Sequence, residues 1–151
     1  MSGIIIAILS GAMMSIQGVF NTGVTKQTSI WTAATFVQFT ALLVSFGAWF
    51  LTGKQAPLGS LFKIDGKYML LGGVIGTAIT YTVIQSVAMI GPAKSTMLIV
   101  IAQLTASYLI ELFGLFGTEK AAFEWRKVIG LLLAIGGTLL FQWESTKAPG
   151  A

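Results

Sequence analysis

Five side-chain amides, Gln17, Asn21, Gln38, Gln85 and Gln103, stand inside otherwise apolar runs, and one carboxylate, Glu111, joins them. An amide left without a partner in hydrocarbon costs several kcal/mol, so none of these groups should face lipid. Each must bond to a neighbouring helix, worth about 0.6 to 2 kcal/mol apiece, or line a wet cavity that a solute enters. The spacing bears on that choice. Gln103, Ser107 and Glu111 follow one another at four-residue steps, which places an amide, a hydroxyl and a carboxylate on one helix face. Thr77, Tyr81 and Gln85 repeat the pattern. Trp31, Thr35, Gln38, Leu42, Ser45 and Trp49 recur at steps of three and four and form a polar and aromatic stripe. Rings beside amides suit an amphipathic solute or an organic cation, through apolar contact and attraction of the cation to the ring face. Trp31 and Trp49, near the ends of their run, are better read as interfacial anchors. Glu111 is the only acidic residue within an apolar run. A carboxylate that takes either a proton or a cationic solute is a simple device for exchange. Lys94, by contrast, reads as a headgroup contact.

The elements that carry these groups follow from the apolar runs themselves. Uncharged tracts extend over Met1 to Thr25, Gln27 to Gly53, Tyr68 to Ala93 and Val128 to Trp143, and Ser95 to Phe113 is broken only by Glu111. A bilayer core about 30 Å thick needs about 20 helical residues, and lipid offers no partner for unpaired backbone groups. Period-2 alternation is absent, so strands are excluded. The expectation is an all-α integral membrane protein with five transmembrane helices, over about 2–21, 30–51, 68–90, 95–113 and 128–143. Residues 1–143 form one domain and 144–151 a flexible tail. The first run lacks a basic leader at Met1-Ser2-Gly3 and is expected to be retained as a helix. The longest connection, Thr52 to Lys67, contains an apolar element of Leu58, Leu61, Phe62 and Ile64 suited to the membrane surface.

Composition narrows the function. Hydrophobic residues at 55%, charged residues at 9% and a mean hydropathy of +0.85 exclude a water-soluble domain and a disordered chain. The net charge of +4 lies in the connections between spans, where lipid headgroups attract Lys and Arg, so nucleic acid is not implied. There is no Cys and no His, which removes disulfides, thiolate nucleophiles, imidazole bases and the usual transition-metal ligands. No cofactor is expected. No pair of catalytic groups lies in the spans, so an enzyme is not expected either.

An odd number of spans puts the termini on opposite sides. One side's loops hold Lys54, Lys63, Lys67, Lys120, Arg126 and Lys127; the other side's hold Lys26, Lys94 and Lys147. Six cations against three prefer a cytoplasmic amino terminus only modestly, and insertion both ways is compatible with that bias. Gly72 and Gly76, and Gly130, Ala134 and Gly137, are small residues at three- and four-residue steps that let helix backbones approach closely. The last helix, with no central charge or amide, reads as a packing or dimerisation helix.

Three stretches carry a family resemblance: IQGVFNTGV at residues 16–24, IAQLTASYLIELFGLFG at 101–117 and WRKVIGLLLAIGGTLLF at 125–141. The chain resembles the small YdcZ-type inner-membrane proteins of the drug/metabolite transporter superfamily over nearly its whole length. That pattern carries an acidic residue at position 111, commonly aspartate followed by His; here it is Glu111 followed by Leu112, which keeps the carboxylate without an imidazole. The resemblance implies a multi-pass protein of a bacterial or archaeal cytoplasmic membrane that is half of an inverted-repeat transporter. It further implies an antiparallel homodimer, or a pair with an oppositely oriented paralogue, working by alternating access. By analogy the cargo is a small organic cation or metabolite. On this reading Gln17, Asn21, Gln38, Tyr81, Gln85, Gln103 and Ser107 line the substrate pathway, and Glu111 carries a coupling proton. A passive pore and a non-transporting subunit of a heteromeric complex are the competing readings.

Overall fold

The computed structural model of the chain describes residues 2–53 and 56–143. The tail expected at 144–151, with Lys147, and the loop cation Lys54 lie outside the described residues. Five helices follow in order: α1 Ser2–Gln27, α2 Ile30–Leu51, α3 Gly72–Ile90, α4 Pro92–Phe113 and α5 Trp125–Gln142. Each is long and apolar enough to cross a membrane, the third together with the 3-10 turn Lys67–Leu71 that leads into it. No strand occurs among the described residues. Large apolar side chains are exposed on all the helices, among them Ile4, Val44 and Leu133 at 68, 73 and 71%. Such surfaces would be costly in water and are matched by lipid. The fold class is the five-helix, all-α membrane class expected from the apolar runs.

Helix ends differ from those expectations, and the reasons are local. α1 continues beyond Asn21 to Gln27 because its polar residues satisfy themselves on the helix. The hydroxyls of Thr22, Thr25 and Thr28 donate to the carbonyls of Gly18, Asn21 and Val24, at 2.8, 2.9 and 2.8 Å. Only Thr28 and Ser29 remain between α1 and α2. Ser29 is extended, and its Oγ accepts from the Thr32 N–H at 3.1 Å, which caps α2. α4 begins at Pro92, where a missing N–H costs nothing, and the charge of Lys94 does not delay it. α5 begins at Trp125, so that Arg126 and Lys127 belong to its first turn rather than to the loop.

By its internal contacts the chain divides into two units, residues 1–92 and 93–151. In the first, α1, α2 and α3 pack against one another pairwise. Gly18 of α1 faces α3: a Cβ there would lie 3.4 Å from Val83 Cγ1 and 3.8 Å from Val87 Cγ2. Asn21 and Thr22, one turn further on, are buried, as are Ala33, Ala34, Ile84 and Val87. The small residues bring the backbones together where the α1–α2 link is shortest. The connection to α3 contains a second 3-10 turn, Leu58–Lys63, with Phe62 exposed, and is tied to α2 by the Trp49 indole N–H, which donates to the Ala56 carbonyl at 3.0 Å.

In the second unit, α4 ends on Gly114 in the left-handed conformation, φ 64°, which suits a residue without Cβ. The FGLFG stretch then turns sharply, with φ 56° at Phe116 and 82° at Gly117. The Glu111 carbonyl holds this turn, accepting from the N–H of Gly114 at 3.3 Å and of Ala121 at 2.8 Å. The loop is thereby folded back over the last turn of α4, just where the Glu111 side chain emerges.

Candidate functional site

Two of the expected stripes meet between α2 and α3. Gln38 Nε2 donates to Thr77 Oγ1 at 3.1 Å, and the Thr77 hydroxyl in turn donates to the Gly73 carbonyl at 3.1 Å. Gly76 lies beside this bond: a Cβ there would be 3.7 Å from Gln38 Nε2, an ordinary contact. Nearer the α1–α2 turn, Trp31 stacks on Tyr81 with ring centroids 4.9 Å apart and planes inclined by 29°. The Tyr81 hydroxyl accepts from Gln85 Nε2 at 3.2 Å, joining the four-residue steps of α3 into one array. Trp31, Thr77 and Tyr81, with Val74, Ala78 and Thr82, line an open groove of about 430 Å³. The indole of Trp31 is thus engaged with α3, whereas its place near the run's end suggested an interfacial anchor.

Gln17 and Asn21 belong to a different groove. They line it from α1 with Met13, Ile16 and Phe20, against Val37, Thr40, Ala41 and Val44 of α2, around about 460 Å³. Of the first unit's amides, Gln17 and Asn21 thus line this groove, while Gln38 and Gln85 bond to Thr77 and Tyr81, which line the other. Gln38 lies at the α2–α3 contact, while Val37, one residue before it, and Thr40, two residues after it, line the groove shared with α1.

The carboxylate has its own surroundings in the second unit. Ser107 and Glu111 of α4 line a groove of about 320 Å³ with Leu104, Tyr108, and Lys127, Gly130 and Leu131 of α5. Lys127 Nζ lies 3.7 Å from Glu111 Oε2, 3.8 Å from Glu124 Oε1 and 5.8 Å from the centre of the Tyr108 ring. The Tyr108 hydroxyl accepts from the Glu124 N–H at 3.4 Å, which fixes the ring beside the start of α5. The cluster holds two carboxylates and one ammonium, a net charge of minus one. Gln103 is exposed on α4 and is not among the residues lining this groove.

Tyr108 and Lys127 were not expected as site residues. Tyr108 stands three residues before Glu111, a spacing that puts both on neighbouring positions of one face, and this signal was available. Lys127 carried no such signal: it belongs to a different helix, and in the sequence it counts as a loop cation. Of the small residues, Gly76 approaches a side chain and Gly130 borders the carboxylate groove, with nothing within 4 Å of a Cβ at Gly72, Gly130 or Gly137. Ala134 is half-buried. Among the described residues no group of His, Cys, Asp or Glu is arranged to hold a metal ion.

Residues 2–140 match the family model described as "Putative inner membrane exporter, YdcZ". No curated protein and no solved structure matches the chain.

Proposed function

Because the chain belongs to the YdcZ family of inner-membrane exporters, we propose that it is one half of a secondary transporter, assembled as an antiparallel dimer and working by alternating access. Family membership and five apolar helices fit a multi-pass inner-membrane protein and support an exporter's role. The finer reading rests on one observation: the Glu111 carboxylate opens on a groove bordered by Ser107, Tyr108 and apolar Leu104 and Leu131. A negative charge, a ring face and an apolar wall are what a small organic cation requires. In this reading Glu111 is also the group that carries the coupling proton.

Five short helices enclose too little volume for a pathway open to both sides. Two inverted copies supply the repeat symmetry on which alternating access depends. In this assembly Gln17, Asn21, Gln38, Tyr81, Gln85, Gln103 and Ser107 line the pathway, and the small residues Gly72, Gly130, Ala134 and Gly137 receive the partner subunit. The modest excess of loop cations on one side is compatible with a homodimer inserted both ways or with an oppositely oriented paralogue.

The test is flux of methylammonium, tetramethylammonium and larger organic cations into proteoliposomes under an imposed proton gradient. Saturable, gradient-dependent flux of at least one of them, lost in Glu111→Gln, is the expected result. Coupled flux that survives Glu111→Gln would reject the proton role, and flux that never saturates and ignores the gradient would make the protein a pore.

A further inference from the structure

The groove at Glu111 already has a cation at its wall, and it belongs to the chain itself. From Cβ outward Lys127 is an n-butylammonium ion, and its head lies between the Glu111 and Glu124 carboxylates and within 6 Å of the Tyr108 ring. We propose that Lys127 is a tethered occupant of a site for primary alkylammonium ions formed by Glu111, Glu124 and Tyr108, and that cargo binds by displacing it. This inference rests on the transport reading and gives that reading its substrate class, a flexible alkyl chain ending in a primary ammonium.

Three observations support displacement over a permanent structural bridge. The separations of 3.7 and 3.8 Å exceed the 2.7–2.9 Å typical of a charge-assisted hydrogen bond, so the ammonium is loosely held. The side chains of Lys127, Glu111 and Glu124 are 40, 54 and 53% exposed, and pairs so exposed add little to stability. Two carboxylates also share the one ammonium, so each is only partly engaged by Lys127. The groove beside them, about 320 Å³, is bordered by Leu104, Leu131 and Gly130 and has room for an alkyl chain. An incoming ammonium would take the carboxylates and the ring face, while the Lys127 head, on its flexible stem, swings into water. The resting site is then never an empty pair of carboxylates, and a cation too bulky to fit between them gains nothing by competing.

Calorimetric titration of the purified protein in a neutral detergent with n-butylammonium tests this. Lys127→Ala should bind it roughly tenfold more tightly than wild type, the factor expected if Lys127 holds the site about nine-tenths of the time. Lys127→Met, which keeps the bulk of the stem on Tyr108, should shift affinity in the same direction. Adding Glu111→Gln to either variant should abolish the gain, and tetramethylammonium should show none. Equal affinity in wild type and both Lys127 variants, or a gain that persists without the Glu111 carboxylate, would overturn the proposal. The two readings separate cleanly. Saturable, Glu111-dependent flux with n-butylammonium binding indifferent to Lys127 would sink only the tethered-occupant inference, whereas the expected binding pattern without any flux would sink the transport reading and leave the site.

Discussion

Replacing Gly18 offers the most direct test of how the first three helices are held together. A Cβ at that position would meet Val83 Cγ1 at 3.4 Å and Val87 Cγ2 at 3.8 Å, which is ordinary contact, so Gly18→Ala fits. It also gains helix propensity, by up to about 1 kcal/mol. Gly18→Leu adds three further carbons, each needing about 3.5–4.0 Å from its neighbours, where the valines already touch the first. Val83 and Val87 are β-branched and confined to nearly one rotamer in a helix, so they cannot swing aside. Overpacking of this kind costs about 1–3 kcal/mol. An intermediate loss of about 2 kcal/mol lowers the folded-to-unfolded ratio by roughly thirtyfold. The assay is unfolding in mixed micelles as the fraction of denaturing detergent rises, followed by circular dichroism and by tryptophan fluorescence, to which Trp31, stacked on Tyr81 of α3, contributes as one of four tryptophans. The Gly18→Leu/Val83→Ala double variant should recover about half of the loss, since the two residues share one contact. A Gly18→Leu protein that unfolds at the wild-type midpoint, or one that Val83→Ala does not rescue, would refute this account of the α1–α3 contact.

Three further outcomes are expected. Gln38→Leu and Thr77→Val should each destabilise the first unit, and their double-mutant cycle should show a coupling of about 0.6 kcal/mol, at most about 1.7 kcal/mol; strict additivity would show that the 3.1 Å bond carries no energy. Gly137→Leu, with nothing within 4 Å of its Cβ, should leave the unfolding midpoint alone and shift the detergent-solubilised protein from dimer to monomer in light scattering; an unchanged mass would remove α5 from the dimer interface. The chain has no Cys, so Lys26→Cys and Lys120→Cys each create a unique thiol, and an impermeant reagent on intact cells should label both partially. Complete labelling of one and none of the other would fix a single orientation.

The helices were legible because apolar length is a composition signal that lipid imposes directly. Their ends were less so. The polar residues Thr22 to Gln27 looked like a turn, but threonine hydroxyls that return to carbonyls four residues back hide that polarity from the solvent. The same masking of charge by helix position applies to Arg126 and Lys127, which occupy a first turn where side chains reach outward. Within the site, contacts governed by helical periodicity could be read in advance, as with Tyr81 and Gln85 at one four-residue step. Contacts between helices could not. Nothing in the spacing pairs Gln38 with Thr77, separates Gln17 from both, or brings Lys127 to Glu111, because those depend on the rotation of one helix against another.

The two-residue link of Thr28 and Ser29 also governs how the chain enters the membrane during synthesis. Two extended residues span at most about 7 Å, whereas the hydrocarbon core is about 30 Å across. With a cytoplasmic amino terminus, α1 therefore cannot span the bilayer while α2 stays on the cytoplasmic side, and the two would leave the insertion machinery as a hairpin. The only charge carried at its tip is Lys26, whose transfer costs about 3 kcal/mol even at the bilayer centre on insertion scales. A tip so lightly charged offers the machinery little reason to prefer one direction.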